Sequence, residues 1–139
     1  MGKKVKVVFD TNVWISIFMN KRLKNEFLLV KDALSVYISK DIGLEVSKVL
    51  QYPRIAELLR KIGVRERDVM RIIAVSSRLV EPKVELQIVD EDVADNKILE
   101  CALAAGADFI VSGDGHLLRL GKFRKTRILS PREFFDYIA

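Results

Sequence analysis

The sequence predicts an α/β fold built on a parallel sheet, and three observations carry that prediction. Two short runs, Val5-Lys6-Val7-Val8-Phe9 and Asp108-Phe109-Ile110-Val111, have the apolar composition of strands buried on both faces. Segments of helical periodicity lie between and after them, as βαβ units require. Both runs also stop in the same way, the first at Asp10-Thr11-Asn12 and the second at Ser112-Gly113-Asp114-Gly115. Each strand therefore ends on or beside a carboxylate. In an open α/β sheet the carboxyl ends of the strands are where ligands bind.

Length and composition bound the rest. With 139 residues, the chain reads as one domain spanning 1–139, long enough to bury a core without disulfides. Half of its residues are hydrophobic and only seven are Gly and three Pro, which favours a compact fold over a disordered one. Cys101 has no second cysteine to pair with, and its neighbours Leu99, Ala102 and Leu103 make it a buried, inert thiol. Apolar runs fall far short of the roughly 20 residues of a membrane span, and the first residues lack the apolar segment of a signal peptide. A cytoplasmic protein with no membrane contact is expected. A net charge of +5 and a pI near 9.4 favour a polyanionic partner. The charge is concentrated: Arg119, Lys122, Arg124, Lys125, Arg127 and Arg132 have no acid among them, and Lys21, Arg22 and Lys24 form a second cluster.

Taken in order, the opening strand leads into a short helix through Val13, Trp14, Ile15 and Phe18, capped by Thr11 or Asn12 and ending before an Asn20-Lys21-Arg22 turn. A helix over 26–35 carries Phe27, Leu28, Val30 and Leu34, and Val36-Tyr37-Ile38 is a short strand. Ser39 caps the next helix, whose Ile42, Val46, Val49 and Leu50 form one apolar stripe until Pro53 breaks it. Glu45 lies on the edge of that stripe, where an acid is not simply solvated. Helices over 55–62 and 66–79 follow on either side of Gly63. Val84, Leu86 and Ile88 alternate as in a strand or an extended loop. The acids Asp90, Glu91 and Asp92 read as solvated loop residues, with Asp92 close enough to reach a metal through water. Asp95 opens a helix carrying Ile98, Leu99, Ala102, Leu103 and Ala105, which ends at Gly106 as C-cap. Asp95 shares the inward face of that helix. After the second strong strand come an apolar turn, His116-Leu117-Leu118, a strand over 127–129, and a final helix announced by Ser130 as N-cap and Pro131 at the first helical position.

Parallel strands direct their carboxyl ends to one edge of the sheet, which brings Asp10 and Asp114 to the same rim, and Asp95 and Glu45 join them without straining the connections. Each acid has a structural reading as well: Asp10 and Asp95 as helix caps, Asp114 as a turn residue, Glu45 as a flank of the core. Together, four carboxylates in one pocket repel each other unless protonated or joined by a cation. Oxygen ligands without His or Cys suit Mg²⁺ or Mn²⁺, and such an ion takes phosphate oxygens readily. One or two ions would then polarise a phosphate ester and lower the pKa of an attacking water. Lys97 and the basic residues Lys122, Arg124 and Lys125 are the candidates for holding flanking phosphates. His116 reads as a partly packed surface histidine outside the chemistry, and Trp14 and Phe9 read as core.

These residues resemble the PIN-domain nucleases, particularly the small prokaryotic VapC-like toxin components of toxin–antitoxin pairs. The resemblance rests on Val-Phe-Asp-Thr-Asn-Val-Trp at 8–14, Glu45, Asp-Asn-Lys-Ile-Leu-Glu-Cys-Ala at 95–102 and Ala-Asp-Phe-Ile-Val-Ser-Gly-Asp at 107–114, and it covers essentially the whole chain. It implies a three-layer α/β/α architecture with a central, mostly parallel sheet. It implies Mg²⁺- or Mn²⁺-dependent cleavage of single-stranded RNA, with a homodimer and an antitoxin protein as expected partners. By position, Asp10, Glu45, Asp95 and Asp114 match the family's acidic quartet, and Thr11, Asn12 and Ser112 its accompanying polar residues. Asp41 lies near Glu45 as a competing acid.

Two other readings stay open on sequence. A non-catalytic RNA-binding or partner-binding module, for example in RNA processing or ribosome assembly, would use the same acids for a structural ion. A phosphatase of the haloacid-dehalogenase kind also places an Asp after its first strand, but it wants a second Asp two residues on, where this chain has Asn12.

Overall fold

The computed structural model describes residues 3–88 and 93–139. The expectations about Asp90, Glu91 and Asp92 lie outside the described residues. One six-stranded sheet organises the chain, in the order β3-β2-β1-β4-β6-β5. Its strands are β1 (Val5–Phe9), β2 (Leu34–Ser39), β3 (Arg78–Val80), β4 (Phe109–Val111), β5 (Lys122–Phe123) and β6 (Thr126–Leu129). All neighbours pair in parallel except β5 with β6. The helices are α1 (Thr11–Met19), α2 (Lys21–Val30), α3 (Lys40–Leu50), α4 (Pro53–Lys61), α5 (Glu66–Ser76), α6 (Val93–Ala105), α7 (Gly115–Leu120) and α8 (Pro131–Ile138). No helix among the described residues is long and apolar enough to cross a membrane.

The opening strand has the burial its composition demands. Val7, Val8 and Phe9 are wholly buried, and because successive side chains point to opposite faces, both faces of the sheet are covered by helices. Phe9 is the centre of an aromatic cluster, edge-on to Trp14 at 5.2 Å, to Phe27 at 5.8 Å and to Phe134 at 6.3 Å. That cluster joins α1, α2 and α8 to β1. Helix α6 packs against β1, β2, β3 and β4. The residue at the end of β1 is therefore anchored by the core on its amino side.

The chain runs β1, β2, β3 in one direction across the sheet and β4, β6 in the other. The reversal lies between β1 and β4, which pair Val7 with Phe109 and Phe9 with Val111. A crevice forms at such a switch point, because the connections leaving the two strands diverge.

Several local expectations are corrected. Asp10, rather than Thr11 or Asn12, caps α1, its carboxylate accepting from the Val13 amide at 2.9 Å. The helix placed over 26–35 begins at Lys21, because Asn20 is an N-cap accepting from the Leu23 amide and not a turn residue. It gives way to a short 3-10 turn, and the buried alternation of Leu34, Val36 and Ile38 starts the strand two residues before the expected position. The helix over 66–79 stops at Ser76; 78–80 is an edge strand paired with β2, too short to show a period. Of the two readings of 84–89, a strand or an extended loop, the structure has the loop over the described residues 84–88. The amides of Leu86 and Ile88 are taken by the Glu100 carboxylate and the Asn96 side chain instead of a neighbouring strand. The apolar turn at 116–118 is helix α7, and Lys122–Phe123 forms an unanticipated hairpin with β6. Ser39 and Ser130 cap α3 and α8 as expected, the latter in a full capping box with Glu133.

Candidate active site

The acids gather through the ends of the elements that carry them. Asp10 is the residue between β1 and α1, and its backbone amide still pairs with the Val111 carbonyl of β4. The carboxylate is buried, at 7 % exposure, and turned into the first turn of α1. From the neighbouring strand end, the Ser112 hydroxyl donates to the other Asp10 oxygen. The same Ser112 oxygen accepts from the Asp114 amide at 2.9 Å. Ser112 is thus a buried clamp between the two strand-terminal acids. Asp114 in turn caps α7, accepting from the amides of His116 at 2.8 Å and Leu117 at 3.3 Å.

Asp95 enters from the first turn of α6, where its helix face is packed inward, and it is 6 % exposed. Glu45 enters from α3, half-buried, one turn after Asp41 on the same face. Asp10, Thr11, Asn12, Asp41, Glu45, Asp95, Lys97 and Asp114 all line one cleft of about 540 Å³ at the carboxyl edge of the sheet, floored in part by Ile42 and Ile98. A second cleft lies alongside it and shares Asp41 and Lys97.

The electrostatics follow from this crowding. Burial raises the Asp10 carboxyl above the ordinary carboxylate value, and the nearby Asp114 charge adds to the rise. Hydrogen bonds from Ser112, Val13 and Gly113 oppose it. For Asp114, burial works against ionisation, but the Leu117 amide, the Asp95 carboxyl and the His116 amide outweigh it and hold the group below its ordinary value. Asp95 and Asp114 therefore interact directly across the cleft.

Other expected residues fall elsewhere. Lys97 stands at the cleft, but its ammonium is held by the buried Glu100 at 3.2 Å, which raises its pKa. Lys122, Arg124 and Lys125 belong to the β5–β6 hairpin, whose turn lies at the amino edge of the sheet: Lys125 approaches Gly106 at the end of α6, and Arg127 bonds through its amide to Asp108 before β4. The structure does not bring that trio to the acids. Cys101 is buried and its thiol is pushed up to about 12, the mark of an unreactive packing group.

Two residues at the site were not singled out from sequence. Asp41 joins Glu45 instead of competing with it, since the i, i+4 spacing places both at the cleft. His116 lies beside the acids, its Nδ1 3.9 Å from Asp95 and 3.8 Å from Asp114. The readable signal was Asp114 as a helix cap, which necessarily brings the residue two positions later back towards its own carboxylate.

The PIN domain matches residues 6–116, from within β1 to the start of α7, and so takes in every acid of the cleft. The chain belongs to the PIN domain family. An uncharacterized protein of Methanocaldococcus jannaschii is 29% identical over 148 residues, covering 96% of this chain and 91% of that protein. The fold is similar to that of VapBC2 from Rickettsia felis, solved bound to a DNA fragment from their promoter, with a TM-score of 0.62 and 13% identity over 89% of this chain and 97% of the other. PIN domains are generally nucleases that use divalent metal ions. The cleft fits such an ion. Its donors are carboxylates, and ligand atoms of Asp95, Asp114 and His116 lie within 4.8 Å of one another. The Asp10 carboxylate accepts from the Val13 amide on one oxygen and from the Ser112 hydroxyl on the other, and a carboxylate's remaining lone pairs suit an ion.

Proposed function

We propose that this PIN domain is a Mg²⁺- or Mn²⁺-dependent endoribonuclease that hydrolyses phosphodiester bonds of single-stranded RNA, acting as the toxin component of a toxin–antitoxin system. The observation that carries the reading is the convergence of Asp10, Glu45, Asp95 and Asp114 on one cleft at the sheet's switch point. In this reading those four residues hold the metal. A bound ion supplies Lewis-acid polarisation of the phosphate and a water of lowered pKa. The chain's own residues do the rest. Ser112 fixes the Asp10 carboxylate and the Asp114 backbone relative to each other, so the two strand ends cannot drift apart. Thr11 and Asn12, at the mouth, are placed to hydrogen-bond a phosphate or ribose. Lys97 sits where a flanking phosphate would compete with Glu100 for its ammonium.

The fold is similar to that of VapBC2, solved bound to promoter DNA, which supports placing this chain in a complex with a partner protein; following the family resemblance, that partner is an antitoxin and the working assembly a homodimer in the cytoplasm. The test is cleavage of defined RNAs with Mg²⁺ and with Mn²⁺, comparing the wild type with Asp10→Asn and Asp95→Asn. Metal-dependent cleavage lost in both variants supports the reading. RNA binding without turnover at every metal would move it to a binding module.

A further inference from the structure

We propose that His116 is a nitrogen ligand of the ion at Asp95 and Asp114, making the site a mixed oxygen–nitrogen centre that prefers Mn²⁺ to Mg²⁺. The inference rests on the metal-dependent reading above and sharpens it.

The geometry begins with Asp114. Its Oδ1 accepts from the His116 amide at 2.8 Å, so the cap that starts α7 also fixes the backbone of His116 next to the acid. The ring then turns its Nδ1 to a point 3.8 Å from Asp114 Oδ1 and 3.9 Å from Asp95 Oδ2. Both gaps are too wide for a hydrogen bond. They are a good width for a shared ion, since two metal–ligand bonds of about 2.0–2.2 Å span up to about 4 Å. One ligand atom from each of the three residues lies within 4.8 Å of the others, and each comes from a different turn of structure: α6 for Asp95, the β4–α7 corner for Asp114, the first turn of α7 for His116. The carboxylate-only set expected from sequence is neutral between Mg²⁺ and Mn²⁺. Adding imidazole shifts a site towards the later divalent ions, because Mg²⁺ prefers oxygen and dehydrates reluctantly.

The chain has a single histidine, which makes the test direct. Tag-free, metal-stripped protein is loaded with Mn²⁺ alone and examined by electron spin echo envelope modulation for ¹⁴N coupling from a bound imidazole. In parallel, Mn²⁺ and Mg²⁺ affinities are measured by titration calorimetry for the wild type, His116→Ala and His116→Gln. The expected result is imidazole coupling in the wild type and none in either variant. Mn²⁺ affinity should fall about 10- to 100-fold, the usual cost of disturbing a metal's ligand shell, with Mg²⁺ affinity changed much less. Unchanged circular dichroism in the variants assigns the loss to the ligand. Mn²⁺ bound without imidazole coupling overturns the ligand assignment alone. Absence of any Mn²⁺ binding overturns it together with the metal-dependent reading.

Discussion

Asp10→Asn should separate the stability of this fold from its activity, and the structure fixes the sign of each effect. Asparagine is as good an N-cap as aspartate, so the bond from the Val13 amide survives and α1 keeps its start. What is lost is a charge in a buried position beside Asp114, and the bond with Ser112 reverses, the new amide nitrogen donating to the hydroxyl oxygen that used to donate. Because burial raises the folded-state value of Asp10 above 3.8, the folded protein binds this proton more tightly than the unfolded chain does. Stability contributed by the group is therefore greatest below 3.8 and declines as pH rises through the raised folded value. At neutral pH the wild type carries that cost and the variant does not. In metal chelator the variant should be more stable by about 0.5–2 kcal/mol, the range typical of relaxing a strained functional site. At this length, that is roughly 3–5 °C of Tm per kcal/mol.

A divalent ion reverses the order. If it binds the native cleft, the wild type gains about 2.7 kcal/mol at one hundred times its Kd, and a variant lacking one carboxylate gains far less. Urea or thermal unfolding of both proteins in chelator and in excess Mn²⁺, near pH 4 and near pH 7, gives the four comparisons needed. RNA cleavage measured on the same preparations should vanish in the variant. A variant that is less stable than wild type in chelator at neutral pH would refute the account of Asp10 as a charge held at a cost. A wild type that Mn²⁺ does not stabilise would refute the cleft as its site.

Ser112→Ala removes both arms of the clamp. It should destabilise by about 2–4 kcal/mol, combining a hydrogen bond to a charged group with a buried amide left without its acceptor, as read by urea denaturation. Since the Ser112 bond lowers the Asp10 value, its loss raises it, and the acid limb of the cleavage profile should move to higher pH. Phe9→Ala should cost about 3–5 kcal/mol by emptying the centre of the aromatic cluster, a large share of the roughly 5–15 kcal/mol available to a domain, so the soluble yield and calorimetric Tm should both drop. Replacing Lys122, Arg124 and Lys125 together by Ala should leave the salt dependence of short-RNA binding unchanged, since the hairpin is at the other edge of the sheet. A slope reduced by about 0.7 per residue would show instead that each of them holds a phosphate.

The parts of the fold that were legible from sequence are those in which one physical demand dominated. Val7, Val8 and Phe9 had to be buried on both faces, Ser39 and Ser130 had nothing better to do than cap, and Gly106, at a φ of +62°, is where a side chain would have been strained. The errors came where the demand was tertiary. Nothing local distinguishes Arg78–Val80 from a helix end, because its strand character exists only in its pairing with β2. The alternation at 84–88 resembled a strand, but the partners of its amides are side chains of α6, a contact that no period encodes. The charge cluster at 119–132 was real as composition but divided in space, since the β5–β6 hairpin turned Lys122, Arg124 and Lys125 away from the acids while Arg119 stayed in α7 beside Gly115.

The site was legible for a different reason. Four acids separated by up to 104 positions in the chain converge because a parallel sheet gathers strand ends on one edge, and the gathering follows from topology alone. The residue at the sharpest corner carries two duties. Asp10 is a helix cap and a cleft residue at once, and the cap is what aims it: one oxygen is spent on Val13 and the other is reached by Ser112, so the carboxylate has a single orientation with respect to Asp114. Asp114 repeats the arrangement at α7, and its cap draws His116 in beside it. A structural role and a chemical one are therefore not competing explanations of these acids. The capping bonds supply the fixed geometry that a metal-binding cleft needs, and removing a cap's acceptor while keeping its charge should loosen the site before it unfolds the helix.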